Sequence, residues 1–202
     1  MVTMNKGSIF IVSAPSGAGK TTMCKQIIRL VDKVKPSVSF TTRPPRAGEV
    51  PDEDYCFVSE TEFRTMTDRG EFVEWAKVHG NFYGTSRLKL QELISAGYDV
   101  LLDIDTQGAR QIRKSFNNGV YIFILPPSMM ELKHRLEGRM SNSVEDMNRR
   151  LERAVDEIKE YYMYDYVIVN DILENSLKKL EAIIIAERLR STKIDPQWIE
   201  NN

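Results

Sequence analysis

The sequence predicts an α/β protein with three layers, in which a parallel β-sheet lies between two layers of helices. Two observations carry this prediction. Short continuous apolar runs are typical of strands buried on both faces of a parallel sheet, and they occur at residues 8–13, 100–102, 120–125 and 167–169. Helical windows lie between and after these runs, at residues 20–31, 87–95, 107–115 and 173–190. The alternation of strand and helix is the pattern of repeated βαβ units.

Length, charge and cysteine content exclude several classes of protein. The 202 residues suffice for one domain with smaller lobes inserted. A net charge of −1 argues against a general nucleic-acid binder, and the longest apolar run is too short to cross a bilayer. Two cysteines without a CxxC spacing and two histidines make a structural zinc site implausible. Free thiols and the lack of an export signal predict a cytoplasmic location, and the oligomeric state stays open.

Residues 37–86 interrupt the strand–helix alternation. They hold short strand candidates, a turn-forming segment around Pro44-Pro45 and one short helix. That helix is expected to begin after Ser59, because Glu62 three residues later completes a capping box. The composition predicts a small α+β lobe inserted into the sheet domain.

Residues 128–162 form a second interruption, which is highly charged and helical. Ser128 and Glu131 form another capping box, and the polar residues 141–143 mark a break between two helices. This composition is typical of a helical lid. The sheet domain would then comprise residues 1–36, 87–127 and 163–202.

The strongest local motif is a glycine-rich segment between the first strand and the first helix. Apart from Ala14 at its first position, it matches the GxxxxGK[ST] phosphate-binding loop. Glycines let backbone N–H groups surround phosphate oxygens, while Lys20 would reach the β- and γ-phosphates and the Thr21 hydroxyl would bind Mg²⁺. The alternative is a glycine-rich turn without a ligand. The candidate ATP-binding residues are Ser13, Ala14, Pro15, Ser16, Gly17, Ala18, Gly19, Lys20, Thr21 and Thr22.

A second motif, which is acidic, follows the apolar run at residues 100–102 and contains Asp103 and Asp105. Open α/β sheets bind ligands at the carboxyl ends of their strands. Asp103 is therefore a candidate to orient Mg²⁺ or its water ligands. The alternative is that Asp103 caps the helix that starts near Gln107.

Six further sequence segments indicate the substrate. They are residues 37–49, 54–58, 72–76, 80–85, 103–109 and 167–170. In order and spacing these segments resemble the guanylate kinase family, and the resemblance extends from the phosphate loop to about Arg190. It implies a three-layer P-loop kinase fold with a parallel sheet core, an inserted GMP-binding lobe and a helical lid. It also implies transfer of the γ-phosphoryl group of Mg·ATP to GMP and dGMP, which gives ADP and GDP in purine nucleotide metabolism.

The resemblance also implies roles for single residues. A carboxylate at Glu74 can accept from both N1–H and the 2-amino group of guanine, neither of which adenine offers, so this position discriminates between the bases. Taken alone, Glu74 would be a solvated carboxylate, and Tyr55 and Tyr83 would be half-buried core phenols. The implied ligands of the GMP phosphate are Arg43, Arg46, Tyr55 and Tyr83. The implied guanine-binding residues are Ser39, Glu74, Thr85 and Asp105.

The predicted lid matches the family through three arginines, Arg135, Arg139 and Arg150, which with Lys20 and Arg43 would form the catalytic set. Arginines that arrive from a closing lid would stabilise charge on the transferred group. The alternative is an exposed salt-bridged face, for example Glu131 with Arg135. Through the same resemblance Asn170 would help to place the ATP adenine, and Thr21 and Asp103 would hold Mg²⁺.

Two departures and two alternative functions remain. The turn at residues 50–54 contains Pro51 and lacks the flexible glycine that the family usually carries there, so it should be stiffened or rerouted ahead of Tyr55. Phe82 stands where tyrosine is common. Guanylate-kinase-like domains also occur as non-catalytic protein-binding modules, but these usually have an eroded phosphate loop. The remaining alternative is a kinase for another nucleoside monophosphate.

Overall fold

A computed structural model describes residues 7–78, 80–116, 118–137 and 144–193. Its centre is a five-stranded, fully parallel sheet with the strand order β2-β7-β1-β8-β9. In chain order these strands are β1 (Ile9–Ser13), β2 (Val34–Pro36), β7 (Asp99–Asp103), β8 (Val120–Leu125) and β9 (Tyr166–Val169). The parallel sheet of the predicted fold class is confirmed.

Helices cover both faces of this sheet and complete the three layers. In β1, Phe10 faces the cluster formed with α1 and α7, while Ile11 faces the cluster formed with α3 and α4. All five residues of β1 are buried, because this strand has a helix layer on each side. The helices of the sandwich are α1 (Lys20–Leu30), α3 (Arg87–Ser95), α4 (Thr106–Ser115) and α7 (Leu173–Arg188).

The edge strand β2 is absent from the sequence prediction. It has only three residues and ends at Pro36, where ladder donors are missing. Its register with β7 places Val34 opposite Asp99, and Ser37 extends the pairing by donating from its N–H to the Leu101 carbonyl at 2.9 Å.

A second, four-stranded sheet has the order β4-β3-β6-β5. Its strands are β3 (Phe40–Thr41), β4 (Cys56–Phe57), β5 (Phe72–Val78) and β6 (Asn81–Ser86), with the helix α2 (Glu60–Asp68) packed on them. Phe63, Phe72 and Phe82 form its apolar centre. The predicted start of α2 is confirmed, since the Glu62 N–H donates to the Ser59 hydroxyl at 3.1 Å.

Helix α4 joins the two sheets. Strand β5 lies at the edge of the second sheet and packs against α4. The Gln111 side-chain amide donates to the Trp75 carbonyl at 2.7 Å and accepts from the Trp75 N–H at 3.1 Å. One side chain therefore completes both backbone groups of a strand residue, which fixes β5 against the parallel-sheet domain.

Helices α5 (Met129–Glu137) and α6 (Val144–Ile158) pack together through Leu132, Leu136 and Ala154. Helix α5 begins as predicted, because the Glu131 N–H donates to the Ser128 hydroxyl at 3.0 Å. The 3₁₀-helices Lys159–Met163 and Ser191–Lys193 follow α6 and α7. Within the described part of the chain, no helix combines the length and apolarity needed to span a membrane.

Candidate active site

The glycine-rich loop between β1 and α1 has the backbone that its sequence predicts. Gly17 and Gly19 both have φ of 93°, a region that only glycine enters readily, and Gly19 occupies the N-cap of α1. Ala14, at the position where the motif has glycine, is 6% exposed and belongs to the apolar cluster under α1. Its methyl group therefore packs into the core.

Lys20 reaches across to the end of β7. Its Nζ lies 2.7 Å from Asp103 Oδ1 and donates to the Ile104 carbonyl at 2.7 Å. Burial alone would lower the pKa of Lys20, but the ion pair with Asp103 outweighs it and the pKa lies above the ordinary lysine value. Asp103 does not cap α4. That position belongs to Asp105, whose carboxylate accepts from the Gly108 N–H at 2.8 Å.

The residues present fit a magnesium ion that is held mainly by substrate. Thr21 and Asp103 line the same cleft and offer one hydroxyl and one carboxylate. Across the described residues, no group of three or more His, Cys, Asp or Glu side chains forms a metal cage. Mg²⁺ bound together with nucleotide phosphates typically uses one or two protein oxygens and keeps several waters.

A cleft of about 990 Å³ separates α1 from the second sheet. Arg43 enters it as a fixed guanidinium, since its Nη1 and Nη2 donate to the two Glu49 oxygens at 3.0 and 2.8 Å. This hydrogen bond is the main reason that the pKa of Arg43 is raised and that of Glu49 is lowered. Glu49 also accepts from the Arg46 N–H at 2.8 Å. The predicted residues that line this cleft are Thr21, Ser39, Arg43, Arg46, Tyr55, Tyr83 and Asp103.

A smaller pocket of about 160 Å³ continues this cleft. Glu74 is 5% exposed there, and its Oε1 accepts from the fully buried Thr85 hydroxyl at 2.6 Å. Desolvation by burial raises the pKa of Glu74 to about 7. The predicted residues that line this pocket are Ser39, Tyr55, Glu74, Tyr83, Asp103 and Asp105. The pocket therefore brings Glu74 and its partner Thr85 together with four other predicted GMP-binding residues, which are Ser39, Tyr55, Tyr83 and Asp105.

On the other side of the glycine-rich loop lies a groove of about 500 Å³, which Gly17, Gly19, Thr22, Arg135 and Asn170 help to line. The Asn170 amide donates to the Ala18 carbonyl at 2.8 Å, so this buried side chain supports the loop. Arg135 pairs with Glu131 at 2.8 Å, as the salt-bridge alternative held, and also donates to the Asn170 carbonyl at 3.2 Å.

The other two arginines of the predicted lid differ in what can be said of them. The Arg150 guanidinium donates to the Ser16 hydroxyl at 3.1 Å, so α6 touches the glycine-rich loop. Arg139 lies outside the described residues.

The guanylate kinase family model matches residues 6–187. The chain belongs to the guanylate kinase family. It is 53% identical over 189 residues to the guanylate kinase of Geobacter metallireducens, covering 94% of this chain and 93% of that protein. It is equally similar, at 53%, to the guanylate kinase of Geobacter sulfurreducens, with the same coverage.

The fold of a solved guanylate kinase also matches. The crystal structure from Anaplasma phagocytophilum superposes with a TM-score of 0.78 at 35% identity, covering 96% of this chain and 92% of that one. The relatives and the structure therefore support the same family over almost the whole length of the chain.

The unusual turn at residues 50–54 keeps Tyr55 at the cleft. Asp52 adopts φ of 64°, a backbone conformation that suits glycine, and its N–H donates to the Tyr55 carbonyl at 2.9 Å. Its carboxylate accepts from the Cys56 thiol at 3.1 Å. The rings of Tyr55 and Tyr83 lie edge to face with centroids 6.0 Å apart. Phe82, the other departure, stacks on Phe63 at 5.4 Å inside the lobe.

Three residues that hold others in place were not predicted from the sequence. Glu49 fixes Arg43, Gln111 fixes Trp75, and Gly108 lies against Glu74, as described below. Glu49 had a usable signal, because a carboxylate close to two arginines in one turn is expected to pair with one of them. The contacts of Gln111 and Gly108 join segments far apart in sequence and carried no local signal.

Proposed function

We propose that the geometry of this chain serves a guanylate kinase reaction, the transfer of the γ-phosphoryl group of Mg·ATP to GMP and dGMP to give ADP and GDP. The observation that carries the proposal is the continuity of the site. The cleft beside the glycine-rich loop and the pocket of Glu74 share four lining residues, Ser39, Tyr55, Tyr83 and Asp103. A donor phosphate on the loop and an acceptor nucleotide in the pocket would meet end to end.

The base end of the acceptor is selected by hydrogen bonding. Glu74 is desolvated and offers carboxylate oxygens to the pocket, where guanine N1–H and the 2-amino group can donate to them. Adenine would place an N1 lone pair against the same carboxylate. A buried polar group left unpaired in this way discriminates strongly between substrates.

The phosphate end of the acceptor is gripped by cations and phenols. Arg43 is held in one plane by Glu49, and Arg46, Tyr55 and Tyr83 line the same cleft. The guanidinium fork matches phosphate oxygens. Because the attacking phosphate oxygen of GMP is already ionised near neutral pH, the acceptor needs no general base.

The donor end is arranged for charge stabilisation, which dominates phosphoryl transfer. Lys20 stays protonated beside Asp103 and would contact the β- and γ-phosphates. Arg135 and Arg150 already touch Asn170 and Ser16 near the loop, from where they can reach the transferred group. Thr21 and Asp103 would hold Mg²⁺, which neutralises the phosphate oxygens when bound. Arg139 is proposed for the same role from the family resemblance alone.

A coupled ADP-release assay tests the reaction. The purified chain with Mg·ATP should release ADP when GMP is added, and GMP should be a far better acceptor than AMP or UMP. No GMP-dependent release would favour a protein-binding module, and a preference for AMP or UMP would overturn the assignment of Glu74.

Both cysteines are free thiols, which supports the proposed cytoplasmic location.

We also propose that the acceptor lobe (residues 37–86) and the lid (residues 128–162) close on the rest of the chain when both nucleotides bind. Closure would exclude water that could otherwise accept the phosphoryl group. Small-angle scattering should show compaction with GMP and a non-hydrolysable ATP analogue. An unchanged radius of gyration would contradict closure.

A further inference from the structure

The carboxylate of Glu74 lies directly against helix α4 of the parallel-sheet domain. Gly108 is the third residue of α4 and is buried. A Cβ atom at this position would lie 2.7 Å from Glu74 Oε2 and 3.3 Å from Glu74 Cδ. Real Cβ contacts essentially never fall below 3.0 Å. The missing side chain of Gly108 is therefore what makes room for the carboxylate.

The backbone of Gly108 does not itself require glycine. Six glycines of the described chain have positive φ, among them Gly17 and Gly19, and Gly108 is not one of them. It has an ordinary helical conformation, in which alanine is the more favourable residue. A glycine here weakens α4 without any backbone need, so its benefit must come from the space beside Glu74.

Helix α4 also fixes the strand that carries this carboxylate. One turn after Gly108, the Gln111 amide binds both backbone groups of Trp75, the neighbour of Glu74 in β5. Thr85 from β6 then donates to Glu74 Oε1 at 2.6 Å. One carboxylate oxygen is thus set by Thr85, the other by the space at Gly108, and the strand by Gln111.

We propose that Gly108 is a specificity-determining positioning residue. Its lack of a side chain lets the Glu74 carboxylate sit deep enough for its oxygens to accept from N1–H and the 2-amino group of guanine together. The inference rests on the proposed function of the Glu74 pocket. A methyl group at position 108 has to displace the end of a flexible side chain, so the fold persists while the carboxylate moves.

The test is Gly108→Ala, with Lys114→Ala as a control at an exposed position of the same helix. Binding of GMP and IMP is measured by calorimetry, because IMP shares the sugar and phosphate but lacks the 2-amino group. The alanine variant should bind GMP roughly tenfold more weakly, the loss expected for one hydrogen bond to a charged group. Its preference for GMP over IMP should shrink, while the KM for ATP and kcat at saturating GMP stay near those of the wild type. A general structural defect would instead change the KM for ATP and kcat as well as the GMP affinity and the GMP/IMP preference.

A double-mutant cycle with Glu74→Asp makes the contact itself testable. The shorter aspartate removes the clash, so adding Gly108→Ala to Glu74→Asp should change GMP binding little, and the two changes should be non-additive. Additive effects, or unchanged GMP binding and GMP/IMP preference in Gly108→Ala, would overturn the inference. If Gly108→Ala fails to fold, a folded double variant would support the clash, and an unfolded one would overturn it. If the wild-type chain binds GMP but does not phosphorylate it, the proposed reaction is wrong. The effect of Gly108→Ala on GMP binding still tests the inference about Gly108.

Discussion

The guanidinium of Arg43 and the carboxylate of Glu49 form a two-point pair, with N···O distances of 2.8 and 3.0 Å. The Arg43 side chain is 10% exposed and that of Glu49 19% exposed, so water screens the pair only in part. Glu49 also accepts from the Arg46 N–H and thereby closes the turn that carries both arginines. The proposed grip on the GMP phosphate is therefore oriented before any substrate arrives.

Glu49→Gln should weaken the grip on GMP. The lowered pKa of Glu49 means that the pair is ionic at neutral pH. Glutamine has one acceptor oxygen, and its NH2 group would face an Arg43 N–H, so it cannot accept from both Arg43 nitrogens. We expect the KM for GMP to rise about tenfold with little change in the KM for ATP. Steady-state kinetics with each substrate varied measures this, and Glu60→Gln on α2 is the control. A rise in both KM values would contradict a local role.

Lys20→Met should abolish most of the turnover. The change removes the cation proposed to stabilise the β- and γ-phosphates and leaves Asp103 without its ion-pair partner. The loss in kcat should be at least about 10²-fold, the effect of removing one preorganised donor. GMP binding, measured by calorimetry, should stay largely intact, and Lys178→Met on α7 serves as the control. Near-normal turnover in Lys20→Met would show the mechanism to be wrong.

Use of GMP should depend on the ionisation of Glu74. With a pKa of about 7, the carboxyl group of the free protein becomes protonated as the pH falls below neutrality, and guanine then loses an acceptor. The kcat/KM for GMP should fall about tenfold for each pH unit below that value. The phosphate of GMP titrates nearby, near pH 6. In Glu74→Gln, the pH profile of kcat/KM should still show the titration of the GMP phosphate but not the fall caused by protonation of Glu74. Identical profiles below neutral pH in both proteins would contradict this prediction.

The same burial should make Glu74 a source of instability. Its folded-state pKa lies above the ordinary 4.5, so the folded chain binds the proton more tightly and stability falls as the pH rises from about 4.5 to about 7. Relative to Glu74→Gln, the wild type should therefore lose stability across this window, by an amount on the order of 3 kcal/mol. Urea unfolding at several pH values measures the difference. A difference that does not grow between pH 4.5 and 7 would contradict the assigned pKa.

Asn170 should act on the donor side through the glycine-rich loop. Its amide donates to the Ala18 carbonyl, and a side chain at Gly19 would collide with it. Asn170→Ala should raise the KM for ATP about threefold to tenfold by loosening the loop. Asn170→Asp should be worse, because a carboxylate oxygen would face the Ala18 carbonyl. If the aspartate variant binds ATP at least as well as the alanine variant, the hydrogen bond does not position the loop.

Local chemistry made much of the fold predictable. Helices α1 and α3 begin at Lys20 and Arg87, as their windows predicted, because caps, charges and apolar spacing all act within a few residues. The glycine-rich loop was equally clear, since its glycines are required by the backbone itself. Strand β2 escaped because three residues ending in proline carry no period.

The parts of the site that escaped are contacts between distant segments. Asp103 and Asp105 are indistinguishable as caps in the sequence, and only the position of Lys20 and the start of α4 separate their roles. Asn170 lies 152 residues from Ala18, so its support of the loop had no local signal. The raised pKa of Glu74 likewise comes from burial by the assembled domain.

The hydrogen bonds of Gln111 to Trp75 bear on how this protein behaves in a crowded solution. A sheet margin with unsatisfied N–H and C=O groups is a template on which another chain can add a strand, a common start of aggregation. At Trp75 both groups are already taken by an intramolecular amide. The side chain that fixes β5 beside the Glu74 pocket thus also shields the middle of an outer strand from intermolecular association.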